Sequence, residues 1–241
     1  MLHHIRYWSQ PLGRQAEMHA VVPPGPGPFP VVYQLHGLSD DASIWLRRTT
    51  IEPQFERAGI MVVTLDGGRG FYADHADGVE KWESHILASV DLIDQTFRTI
   101  AKRGARGIAG LSMGGYGALR IGLRHPDRFC SIAAHSAVAC PRAWVKLKRM
   151  PPAELRRIFG ATVADDAVPA WLAPRAKPRP RIHIDCGSED FLIDLNRDLH
   201  ASLERDRVPH TYREYPGAHS WDYWEARLPE AIAHHRAAFK R

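Results

Sequence analysis

The stretch Gly110-Leu111-Ser112-Met113-Gly114 constrains the fold of this chain more than any other. It stands between an apolar run, Arg106 to Leu111, and a helix-like stretch over 113–124 that stops before Pro126. A strand that turns so abruptly into a helix needs small residues around the turn, because the two backbones pass close to one another. Such a turn strains its central serine and lifts the hydroxyl above the sheet edge. The helix N-terminus beside it favours developing negative charge. Ser112 is therefore the candidate nucleophile, and the Met113 N–H is one candidate donor to an oxyanion.

The rest of the chain repeats this alternation. Strands are predicted over 31–35, 60–65, 106–111, 129–134, 181–186 and 210–215. Helices are predicted over 50–58, 82–98, 113–124 and 191–206, with a C-terminal helix whose last segment starts at Pro229. Residues 2–8 and 14–22 read as an N-terminal antiparallel hairpin around Pro11-Leu12-Gly13. The expected class is α/β: a mostly parallel central sheet with helices on both faces. Residues 137–180 lose the rhythm and read as a short insertion over the C-terminal edge of the sheet. A chain of 241 residues with no internal repeat is expected to form a single domain over 1–241.

Composition removes several functional classes. No run of about 18 apolar residues is present, so no membrane association is expected, and the N-terminus shows no signal-peptide pattern. The three cysteines, Cys130, Cys140 and Cys186, are odd in number and widely spaced. That argues for free thiols and a cytoplasmic location rather than a disulfide framework. The net charge of +5 is spread along the chain with acids between the bases, so no nucleic-acid partner is expected. The basic run Lys146, Lys148, Arg149, Arg156 and Arg157 in the insertion could steer an acidic substrate toward the cleft, but reads first as a solvated rim. The doublets His3-His4 and His234-His235 match no three-ligand spacing, and no metal site is expected. Assembly into a homo-oligomer is left open.

A serine hydroxyl needs a base, and the base needs an orienting acid. In strand-turn-helix hydrolases the chain order is Ser, then Asp or Glu, then His. The acid belongs after a late strand, where Cys186-Gly187-Ser188-Glu189-Asp190 stands. Asp190 is the candidate. Its rivals are Glu189, one step off in direction, and Asp194, inside the predicted helix. The base belongs on the loop after the next strand. Of 14 histidines only His219, in Tyr215-Pro216-Gly217-Ala218-His219, sits at that point. A second oxyanion donor would come from the loop after the first parallel strand, Leu35-His36-Gly37-Leu38, with the Leu38 N–H as candidate.

These stretches together resemble the putative-esterase family of α/β-hydrolases, and in particular its small intracellular tributyrin-type esterases. The likeness rests on Leu35-His36-Gly37-Leu38-Ser39 with Trp45, on Asp66-Gly67-Gly68-Arg69-Gly70-Phe71-Tyr72, and on Gly110 to Ala118. It continues through Gly187-Ser188-Glu189-Asp190-Phe191 and Gly217-Ala218-His219-Ser220-Trp221. It implies an α/β-hydrolase fold and a triad of Ser112, Asp190 and His219. It also implies a serine carboxylesterase acting on short-chain acyl esters of small molecules without a cofactor. Acyl transfer to a sugar or other alcohol, or S-formylglutathione or feruloyl ester hydrolysis, are the alternatives. The pocket candidates are His36, Gly37, Trp45, Tyr72 and Trp221.

Overall fold

The computed structural model describes residues 1–239, save the side chains of Val145 and Lys146. The Lys146 member of the basic run therefore lies outside the described residues. Eight strands form one sheet: β1 (Leu2–Ser9), β2 (Arg14–Val21), β3 (Val31–Leu35), β4 (Met61–Leu65), β5 (Arg106–Leu111), β6 (Ser131–His135), β7 (Arg181–Gly187) and β8 (Thr211–Tyr215). Their spatial order is β1-β2-β4-β3-β5-β6-β7-β8. The first two pairings, β1 with β2 and β2 with β4, are antiparallel, and the remaining five are parallel.

Burial follows this order. Every residue of β3, β4, β5 and β6 is buried, as expected for parallel strands covered on both faces. The edge strands β1 and β8 are only partly buried. Between the strands run the helices α1 (Ile44–Arg48), α2 (Ile51–Ala58), α3 (Trp82–Thr96) and α4 (Met113–Arg124). They are followed by α5 (Pro141–Lys146), α6 (Pro152–Phe159), α7 (Pro169–Leu172), α8 (Ile193–Arg205) and α9 (Trp221–Ala238). One core layer joins the sheet to α3, α4 and α8 through residues such as Ile86, Val90, Tyr116, Leu119 and Leu199. The other joins it to α1, α2 and α9 through Trp45, Ile51, Phe55, Trp224 and Leu228.

One local expectation is corrected. Helix α9 runs unbroken from Trp221 to Ala238, with Pro229 inside it rather than at its start. The proline removes one backbone donor, but Tyr223, Trp224 and Leu228 before it and Ala231 and Ile232 after it are buried in one cluster. That continuous apolar face keeps the helix whole. Helix α1 is not revealed by sequence periodicity, because five residues carry too little pattern. It is started by Asp41, whose carboxylate accepts from the Ser43 N–H at 2.8 Å.

The segment 137–180 holds α5, α6 and α7, and Val138, Trp144, Met150, Ile158 and Leu172 join the larger core layer. Helix α4 is tied to α3 by charge. Glu83 accepts from Arg120 at one carboxylate oxygen, and from Arg124 at 3.0 Å and His125 at 2.6 Å at the other. Burial alone would raise its pKa, but His125, Arg120 and Arg124 outweigh burial and hold it at about 2.

Topology places a crevice. From β3 the chain proceeds to β4 on one side, whereas from β5 it proceeds to β6 on the other. The C-terminal ends of β3 and β5 thus flank a switch point, the position at which open α/β sheets bind ligands.

Candidate active site

Ser112 follows β5 directly and caps α4. Its φ of 54° and ψ of −115° lie outside the regions an L-residue readily adopts, so the turn holds the serine under strain. Backbone bonds over-determine that turn. The Ser112 N–H donates to the His135 carbonyl at 2.9 Å, and the Ser112 carbonyl accepts from Tyr116 at 3.0 Å and Val138 at 3.1 Å.

Asp190 and His219 arrive on two loops that touch backbone to backbone. The Ser188 N–H donates to the Tyr215 carbonyl at 2.8 Å and the Glu189 N–H to the Gly217 carbonyl at 2.9 Å. Only glycine fits at 187, where a Cβ would run into the Gly217 carbonyl. His219 Nδ1 then lies 2.8 Å and 3.0 Å from the two Asp190 carboxylate oxygens, and its Nε2 lies 3.1 Å from Ser112 Oγ. Asp190 is 2% exposed and also accepts the Leu192 N–H at 2.8 Å, which fixes the carboxylate. The His219 ring is held between Phe191, at 4.5 Å between centroids, and Trp224, edge-on at 4.9 Å. The Nδ1–H bond to a buried carboxylate leaves Nε2 as an acceptor facing the serine. The rivals lie elsewhere: Glu189 is exposed and Asp194, inside α8, pairs with Arg197.

The loop after β3 packs against this serine. A Cβ on Gly37 would come within 2.7 Å of Leu111 Cδ1 and 3.7 Å of Ser112 Cβ, so glycine permits the approach. Among the described residues, neither the Leu38 nor the Met113 N–H donates to a backbone carbonyl. Two unspent donors flank the nucleophile candidate, one at the first turn of a helix.

A cleft of about 430 Å³ opens beside Ser112 and His219. Gly37, Leu38 and Trp221 line it, as do Asp40, Arg69, Trp144, Arg149, Phe191 and Trp224. The other pocket candidates are buried behind its wall. His36 bonds the Gly37 carbonyl through Nδ1 at 2.7 Å and accepts the Gly67 N–H at Nε2 at 2.9 Å. Tyr72 donates to the His36 carbonyl at 2.9 Å, and Trp45 to the Leu35 carbonyl at 3.0 Å. These three brace the loop that carries Gly37 and Leu38. Sequence reasoning missed Asp40, Arg69, Trp144, Arg149, Phe191 and Trp224 as lining residues. Phe191 and Trp224 could have been found from their spacing to Asp190 and His219. Trp144 and Arg149 come from the insertion, whose path no local pattern records.

This constellation agrees with what the chain resembles. The model of the family described as "Putative esterase" matches residues 9–235. An acetyl esterase of Caldicellulosiruptor saccharolyticus is 29% identical over 83% of this chain and 81% of its own length. An S-formylglutathione hydrolase of Paracoccus denitrificans is 28% identical over 95% and 91%. Among solved structures, a fluorophosphonate-binding serine hydrolase of Staphylococcus aureus superposes with a TM-score of 0.90 at 27% identity, covering 98% of both chains. With the strained serine, the switch-point cleft and the sheet order already in place, the chain belongs to the putative-esterase family and is a carboxylic ester hydrolase of the α/β-hydrolase fold.

Proposed function

We propose that the enzyme cleaves short-chain acyl esters through an acyl-enzyme on Ser112, with His219 as general base and acid and Asp190 as its orienting carboxylate. One observation carries this reading: the unbroken hydrogen-bonded chain from Ser112 Oγ through His219 to buried Asp190, at the wall of the cleft. His219 Nε2 takes the Ser112 proton as Oγ bonds the ester carbonyl carbon, and the carbonyl π pair moves onto oxygen. The Leu38 and Met113 N–H groups donate to that oxygen. Each such donor is worth about 2.7–4 kcal/mol in related chemistry. The tetrahedral species collapses, the bond to the leaving oxygen breaks, and His219 returns its proton to the departing alcohol. Water then repeats the sequence and frees the acid. Asp190 holds the imidazole and stabilises the imidazolium.

The cleft volume and the aromatic side chains around His219 favour small acyl groups. On p-nitrophenyl esters from acetyl to octanoyl, kcat/KM is expected to peak at acetyl to butyryl and fall beyond. A steady rise to octanoyl overturns the short-chain assignment. The three free cysteines support a reducing, cytoplasmic setting, and no described helix is long and apolar enough to cross a membrane.

A second reading has its own observation. Arg69 and Arg149 both line the cleft, and Arg149 stacks over Phe191 at 4.4 Å, next to His219. An acidic leaving group, such as the tripeptide thiol of S-formylglutathione, would meet Arg149, while the Arg69 guanidinium is held by the Glu154 carboxylate at 2.9 Å and 3.3 Å. On that reading Arg149→Ala raises KM for the thioester and leaves KM for p-nitrophenyl acetate unchanged. Equal effects on the two substrates reject it.

A further inference from the structure

At the edge of the sheet away from β8, β1 and β2 gather three ligand-type side chains. His4 stands directly opposite His19 in the antiparallel register. Glu17 lies two residues before His19 on β2, so the strand period puts both on the face that His4 shares. The His4 and His19 rings meet edge to face with centroids 4.7 Å apart. Glu17 Oε1 lies 3.4 Å from His19 Nε2. One ligand atom from each of the three residues falls within 4.8 Å of the other two.

A second observation is independent of this clustering. His19 is 2% exposed, and neither of its ring nitrogens has a hydrogen-bond partner among the described residues. A buried imidazole left with both nitrogens idle is unfavourable, and a native chain rarely leaves one without a reason. The charged or titratable groups around it are His4 across the strand pair, Glu17 beside it and Asp41 within electrostatic reach, and Thr64 stands opposite it on β4.

We propose that His4, Glu17 and His19 form a binding site for a divalent transition-metal ion of the zinc class. A tetrahedral ion with bonds of about 2.0–2.1 Å holds its ligand atoms about 3.3 Å apart. The Glu17 to His19 separation already matches that edge. Two imidazoles and a carboxylate suit zinc, and three protein ligands leave one position for water. Arg6 Nε takes the other Glu17 oxygen at 3.3 Å, so Oε1 is the oxygen turned toward His19. β4 and β3 separate the site from the strand that leads to Ser112. The ion would therefore clamp the edge hairpin and take no part in ester cleavage. The ligands come from two strands whose register is set by folding, so the histidine spacing along the chain could not show the site.

The test uses tag-free, chelator-treated protein carrying His200→Ala, because His200, Glu204 and His210 form another cluster of ligand type between α8 and β8. Zinc is titrated against a chromophoric chelator, and cobalt is titrated in parallel for the intense visible bands of four-coordinate Co²⁺. One zinc per chain is expected, with a rise in melting temperature. His4→Ala, an exposed position, should weaken zinc about tenfold or more and abolish the thermal shift. Its rate on p-nitrophenyl acetate should stay that of the parent, which shows that the variant is folded. Glu17→Gln should remove the four-coordinate cobalt spectrum. Absence of stoichiometric zinc in the His200→Ala chain, or zinc binding unchanged by His4→Ala, overturns the proposal.

Discussion

Two of the molecule's serine–histidine pairs sit at opposite ends of the parallel strands; a third, Ser9 with His85, joins β1 to α3. Ser112 follows the C-terminal end of β5, with its Oγ 3.1 Å from His219 Nε2. Ser131 opens β6, with its Oγ 2.7 Å from His235 Nδ1. Bond length alone would favour the second pair, and an aspartate, Asp185, lies in the next strand over. Three physical differences reverse that ranking. Ser131 and His235 are wholly buried, whereas Ser112 and His219 line a cleft. Ser112 is strained and followed by a helix with unspent N–H groups, whereas Ser131 is an ordinary member of a paired strand. Asp190 is bonded to its histidine, whereas the Asp185 carboxylate holds His135 at 2.8 Å, His183 at 3.1 Å and the Tyr223 hydroxyl at 3.0 Å. Burial, and then His234, His183 and His135, push the His235 pKa well below its ordinary value, which makes it a poor proton acceptor. Proximity makes a hydrogen bond; a nucleophile also needs access, backbone strain and a base that can take the proton.

The largest effect should separate the pairs by activity. His219→Ala should lower kcat on p-nitrophenyl acetate about 10⁴-fold, since the members of such a unit fail together. His235→Gln should leave kcat essentially unchanged in folded protein. A loss of the same size in both variants would break the comparison.

Stability should reverse the order. Ser131→Ala leaves His235 Nδ1 without its partner in the core and should cost about 1–3 kcal/mol in urea melts. Ser112→Ala, which relieves a polar group at the cleft wall, should cost less than Ser131→Ala. Gly107 makes room for the buried pair, because a Cβ there would lie 2.5 Å from His235 Nδ1 and 2.9 Å from Ser131 Oγ. Gly107→Ala should therefore destabilise by about 1–3 kcal/mol through overpacking, with kcat per folded molecule retained.

The smallest effect is in pH dependence. A histidine whose folded pKa is depressed binds fewer protons when native than when unfolded. Its contribution to stability is present above the unfolded value and lost as pH falls below it. Replacing His235 by Gln should reduce the loss of stability between pH 7 and pH 5 by at most about 1.4 kcal/mol per pH unit, the limit for one proton. An unchanged slope in His235→Gln would show that this imidazole is not held neutral by its burial.

What the sequence discloses about this molecule follows the range of the interactions. The buried strands β3 to β7 are legible because each is a short apolar run bounded by turn residues, and the serine turn because its five residues act locally. Asp190 and His219 are legible through chain order, although the backbone contact between Gly187 and Gly217 that unites them is not. Pro229 misleads because a breaker rule is local while the face that overrides it is tertiary. Ser131 with His235, and His4 with Glu17 and His19, are invisible in the sequence. Each joins residues through strand register or helix docking, and no spacing along the chain encodes either.

The most direct test of the assignment is covalent labelling with a fluorophosphonate probe, followed by peptide mapping of the wild-type protein and of Ser112→Ala and Ser131→Ala. The account predicts a single adduct on Ser112, retained in Ser131→Ala and absent from Ser112→Ala. An adduct on Ser131, or labelling that persists in Ser112→Ala, would contradict it.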